Sequence, residues 1–125
     1  MKFLSKFEAP AYALLRFILG FLITCHGVQK LFGGWGEKPM IHIPLMLVAG
    51  IIEFGGGLLV AVGFQTRLAA FLLSGLLAVA YFTAHARGGL FPIMNGGELA
   101  VAYCFAFLYI ATRGVGRWGI DKSSS

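Results

Sequence analysis

Four apolar runs, each too long for a β-strand and nearly free of charge, decide what this chain can become. They extend from Pro10 to Phe32, Pro44 to Phe64, Thr66 to Ala86 and Gly97 to Thr112. A bilayer core asks for about 20 mainly apolar residues per helical crossing. The first three runs meet that length, and the last is short enough to rely on local thinning of the bilayer. Barrel strands would show ten-residue alternation of apolar and polar positions, and none appears. Hydrophobic residues make up 58% of the 125 positions and charged ones 12%, against roughly 25% charged in soluble domains. The expected fold is all-α: one polytopic membrane domain over residues 1–125, built as an antiparallel bundle of four transmembrane helices.

Lys2 and Lys6 ahead of the first run raise the case of a cleaved signal. Arg16 interrupts the would-be signal core and no small-residue cleavage pattern follows, so the helix is expected to be retained. Four crossings put both termini on one side. Lys2, Lys6, Arg67, Arg113, Arg117 and Lys122 collect there, whereas Lys30, Lys38 and Arg87 lie opposite. The excess of basic residues assigns the termini to the cytoplasm of a bacterial inner membrane. The net charge of +5 then follows from orientation and anionic lipid. With no basic run, it needs no nucleic acid partner.

The first two helices are joined by a Gly- and Pro-bearing loop with Trp35 at headgroup height, the middle two by Gly63, Phe64 and Gln65, and the last two by residues 87–96. The Ser123 to Ser125 tail is expected to fray. A faint repeat sets His26, Lys30, Gly33 and Gly34 against His85, Arg87, Gly88 and Gly89, with a Glu and a Thr-Arg pair following each time. Two parallel hairpins would produce it, and so would chance.

Ionisable groups inside a span cost ~2.5 to 3.5 kcal/mol on insertion scales, so each one needs a partner or a path to water. Arg16, Gly20, Ile23, Gly27 and Lys30 form one stripe of the first helix, and Gly50, Glu53, Gly57 and Val60 one stripe of the second. Three-and-four spacing makes both narrow enough for close contact. They are expected to meet, with Arg16 reaching Glu53 as a buried polar pair. At the outer end, His26, Lys30, His85 and Glu98 form a polar mouth, with Tyr81 and Phe105 contributing an aromatic floor. Such a mouth suits a quinone head: imidazole or ammonium donating to a carbonyl oxygen, carboxylate exchanging the proton, rings stacking. The same groups at helix ends also reach water without any ligand.

Cys25 and Cys104 lack CxxC spacing and are read as small apolar side chains, with one interhelical disulfide left as an alternative. His26, His85 and Glu98 have no local metal-ligand spacing, and no metal is expected. Phosphate-loop, serine-nucleophile and dinucleotide motifs are absent.

Segments along nearly the whole chain resemble the DoxX family of small bacterial integral membrane proteins. They include Leu15-Arg16-Phe17 and Gly20 leading into His26-Gly27 and Gln29-Lys30-Leu31-Phe32-Gly33, then Glu53 with Gly55-Gly56-Gly57, Gly63-Phe64 and Thr66-Arg67. Ala69-Ala70, Tyr81-Phe82, Asn95 to Ala100 and the closing Gly114, Gly116-Arg117-Trp118 and Ile120-Asp121 continue the pattern, with Gly119 standing where relatives often carry Ser. The resemblance implies a four-helix bundle and a link to respiratory redox complexes, including thiosulfate oxidation that delivers electrons to quinone. No covalent cofactor is expected, since haem, flavin and iron–sulfur fingerprints are missing. Electrons would then need a bound quinone or a membrane or periplasmic redox partner. The leading expectation is a quinone-binding subunit of an oxidoreductase assembly within the lipid bilayer. A non-catalytic scaffold, a small permease and a homo-oligomer stand beside it.

Overall fold

The computed structural model describes residues 1–89 and 91–122, apart from the side chains of Arg87 and Asn95. The Ser123 to Ser125 tail expected to fray lies outside the described residues. Among the described residues the chain is helical, with a single antiparallel bridge between Gly34 and Glu37 in the first loop. A 3₁₀ segment, Lys2–Phe7, leads into α1, Glu8–Phe32. Next comes α2, Pro44–Val62, which opens on Pro44, where the missing N–H costs nothing because a first-turn amide has no intrahelical acceptor. Gly63, at φ 72°, ends α2 in the left-handed region and lets the chain reverse at once into α3, Thr66–Ala80.

The helix from Thr66 does not run on as an α-helix to Ala86. From Tyr81 to His85 it widens into a π turn, closed by the Ala86 N–H donating to the Tyr81 carbonyl five residues back. The Thr83 hydroxyl donates to the Val79 carbonyl at 2.8 Å, and this side-chain competition for a ladder acceptor accompanies the break from regular α geometry. A 3₁₀ turn, Ala86–Gly88, a single-turn α4, Pro92–Asn95, and α5, Glu98–Arg113, complete the order. Lys2–Phe32, Pro44–Val62 and Thr66–His85 are long and apolar enough to cross a membrane. The 16 residues of α5 amount to ~24 Å of helix, short of the ~30 Å hydrocarbon core.

The two small-residue stripes meet, as expected. A Cβ at Gly20 would lie 2.6 Å from the Ala61 nitrogen and 2.7 Å from the Gly57 carbonyl oxygen, and one at Gly27 would strike the Phe54 backbone. Glycine lets the α1 and α2 backbones approach until dispersion contacts hold them, which matters where lipid offers no hydrophobic drive to association. A second close pair is α3 against α5, with Ala69, Ala70 and Leu73 facing Tyr103, Phe107 and Ile110 in one cluster that Ile23 and Val60 join from α1 and α2. Phe17, Phe21, Leu58 and Phe71 point outward, a lipid-facing surface for a bundle in a bilayer.

Candidate functional site

Arg16 and Glu53 are both buried, at 1% and 5% exposure, but they are not partners. With Gly20 beside Ala61 and Gly27 beside Phe54, Arg16 faces the Gly63 turn, roughly 16 Å along the bundle from the level of Glu53. The expected pair is corrected to two separate arrangements.

Arg16 works at the end of the bundle that holds the termini. Its Nη1 donates to the carbonyls of Val60 and Ala61 at 2.8 and 3.0 Å, and its Nη2 to those of Arg117 and Trp118 at 3.2 and 3.1 Å. The guanidinium therefore ties the end of α2 to the C-terminal segment. Backbone bonds from Ile120 to Val62 and from Asp121 to Gly63 extend the seam. Asp121 accepts from the Gln65 and Thr66 amides and the Thr66 hydroxyl at 3.0, 2.9 and 2.8 Å, capping α3 from far along the chain. Desolvation raises the Asp121 pKa, but the bonds from Thr66 and Gln65 and the charge of Arg16 outweigh it and hold the carboxyl below its ordinary value.

At the opposite end, Lys30 Nζ donates to both oxygens of Glu53 at 2.9 and 2.8 Å. Each charge meets its desolvation cost through the other. The pair lines a cavity of about 270 Å³ that His26 and His85 also border. Tyr103 closes the α5 side, while Ile23, Leu77 and Leu99 supply apolar wall. The His26 and Tyr103 rings meet edge-on with centroids 6.3 Å apart. The His85 ring lies 6.3 Å from that of Tyr81. In chemical terms the cavity combines two imidazoles able to donate or accept, an ammonium clamped on a carboxylate, and a phenol-bearing ring.

His26, Lys30 and His85 thus come together, and Glu53 joins them in place of Glu98. Three expected mouth residues lie elsewhere. Glu98, Phe105 and the related Ala102 and Tyr109 are exposed, because α5 turns the opposite stripe, Ala100, Tyr103, Phe107 and Ile110, into the bundle. Tyr81 shares a separate apolar groove with Phe105, although its ring still lies beside that of His85. Tyr103 was missed, because the three-and-four recurrence of Ala100, Tyr103, Phe107 and Ile110 is matched on an apolar helix by that of Glu98, Ala102, Phe105 and Tyr109. Cys25 and Cys104 are free thiols in this structure, the latter with its Sγ 3.5 Å from the Ser74 hydroxyl. Among the described residues, no three His, Cys, Asp or Glu side chains gather as a metal site.

The DoxX family model matches residues 11–86, which takes in α1 from Ala11 onward, α2, α3 and the π turn. A Haemophilus influenzae protein described as "Uncharacterized protein" is 39% identical over 98% of this chain and 96% of its own. The Escherichia coli "Inner membrane protein YqjF" is 27% identical over 95% of each chain. No solved structure matches. A family match over more than half of the chain, together with end-to-end relatives and helices of membrane length, makes this chain a membrane protein of the DoxX family.

Proposed function

We propose that the protein is an inner-membrane subunit of a quinone-linked oxidoreductase assembly and that it holds a quinone head in the cavity bordered by His26, His85, Tyr103 and the Lys30–Glu53 pair. One observation carries the reading: hydrogen-bond donors and a carboxylate from α1, α2, the π turn and α5 converge on a single space with aliphatic walls. That space, about 270 Å³, suits a substituted six-membered ring, given that an engineered cavity of roughly 150 Å³ takes benzene. A bound quinone supplies a two-electron, two-proton couple at its carbonyl oxygens. The chain's own residues orient such a head through imidazole N–H groups, place the Glu53 carboxylate and the Lys30 ammonium beside it for proton exchange, and exclude bulk water with Ile23, Leu77 and Leu99.

Electrons enter from a redox partner subunit, in keeping with the missing haem, flavin and iron–sulfur fingerprints. The inner-membrane assignment is supported by the name of the Escherichia coli relative. In the same reading α5 completes a fourth crossing, both termini are cytoplasmic, and the cavity opens toward the outer leaflet.

The test is mass spectrometry of lipids and proteins that co-purify in mild detergent. Stoichiometric quinone is expected from the unmodified protein and its loss from His26→Ala and Glu53→Gln. Absence of quinone, with an unchanged set of partner proteins across the variants, would leave the scaffold reading. The Lys30–Glu53 pair favours that alternative, because two charges that satisfy each other also lock α1 to α2.

A further inference from the structure

The polar cavity has an apolar neighbour. Leu77 and Ala100 border both the cavity and a groove of about 270 Å³ on the outer side of α3 and α5. Tyr81, Phe82, Val101 and Phe105 line the groove beyond that shared wall, and Phe82 and Phe105 are 70% and 64% exposed at its rim. The π turn joins the two spaces: Tyr81 belongs to the groove and His85 to the cavity, with ring centroids 6.3 Å apart. A third space adjoins on the α1 side, sharing His26 and Tyr103 with the cavity, and there the Gln29 amide joins the lining.

We infer that the ligand is a long-tailed amphiphile whose apolar chain leaves the polar cavity past Leu77 and Ala100 and lies in the groove between α3 and α5. This rests on the proposed head site and names the rest of the molecule bound there. The cavity is below the roughly 300 to 1,000 Å³ that encloses a drug-sized ligand, so the tail of a lipid-soluble molecule has to leave it. Of the two flanking spaces, the almost wholly apolar groove matches a hydrocarbon chain, and the α1-side one would strand the Gln29 amide and the His26 ring against it. Ala78, Ala100 and Val101 keep the groove open because none of them is large enough to fill it. Tyr81 and Phe105 thereby gain a role as walls for a tail, one that a mouth for the ring alone does not offer them.

The experiment measures binding of two probes to the full chain in mild detergent: a dimethoxy-methyl-benzoquinone head carrying a decyl chain, and the same head without it. Ala78→Phe and Val101→Trp fill the groove without touching the cavity's ionisable residues. Expected is a loss of about tenfold or more for the decyl probe in both variants, with the chainless probe bound as before, and loss of both probes in His26→Ala. Unchanged decyl binding in the filled variants overturns the tail groove and leaves the head site standing. Failure of both probes on the unmodified protein overturns the head site and the tail groove together. A decyl probe with a terminal diazirine, photolysed on the unmodified chain, gives a readout independent of any variant's folding. Adducts at Phe82, Val101 or Phe105 support the inference, and adducts confined to Leu22, Cys25 or Gln29 refute it.

Discussion

Arg16 and Lys30 stand on the same stripe of α1 and meet the cost of a charge in apolar surroundings by different means. Lys30 neutralises its charge against one carboxylate, whereas Arg16 spreads its charge over four backbone carbonyls in two segments. Their responses to substitution should differ accordingly. Glu53→Ala strands the Lys30 ammonium and should cost about 3 to 5 kcal/mol, while the Lys30→Met, Glu53→Leu double variant recovers most of it. Thermal unfolding in detergent of both single variants and the double one closes the cycle; a double variant as unstable as the sum of the singles would show that the residues are not coupled. Arg16→Lys keeps the charge but loses the planar fork that reaches both segments at once. A loss of roughly 2 to 4 kcal/mol is expected, together with tryptic cleavage after Arg117 in the otherwise folded protein. Full protection of that bond would mean that the seam of Ile120 and Asp121 holds without the guanidinium.

Between elements, the α1–α2 contact depends on what a glycine leaves out. Gly20→Val or Gly57→Val has to push the two backbones apart and should cost about 3 kcal/mol. Gly55 and Gly75 meet nothing within 4 Å, so alanine there should be neutral or stabilise by up to about 1 kcal/mol through helix propensity. Monodispersity and melting temperature of the four variants check the contrast, which would collapse if all four behaved alike. The start of α3 carries a pH dependence. Hydrogen bonds from Thr66 and Gln65 and the Arg16 charge outweigh desolvation and hold the Asp121 carboxyl below the ordinary carboxylate range in the folded chain, so its cap contributes fully above the unfolded value and is lost as pH falls through the lower folded one. The melting temperature should drop more steeply below about pH 4 in the unmodified protein than in Asp121→Asn; equal slopes would rule out the cap as the source.

For the molecule as a whole, the crossing number has a direct measurement. In a background without Cys25 and Cys104, single cysteines at Ser5 and Lys122 should both react from the cytoplasmic side, and one at Glu37 from the other. Labels on opposite faces at Ser5 and Lys122 would mean an odd number of crossings and remove α5 from the spanning set. Membrane character and helix positions were legible in the residues because a bilayer responds to apolarity summed along one segment, whatever that segment packs against. The glycine stripes were legible too, since a period of three and four residues is a local property. The partner of Glu53 was not: it follows from the antiparallel register of α1 and α2, which puts Lys30 within reach and leaves Arg16 at the Gly63 turn. Nor was the inward face of α5, because a helix apolar nearly all round has no preferred side until α3 packs against it and selects Tyr103 over Glu98. The π turn at Tyr81–His85 was not legible either, being a change in backbone pitch that no side-chain pattern announced. Apolar length is additive along the chain, whereas a site assembled from several helices depends on their registers and rotations, and those exist only once the helices touch.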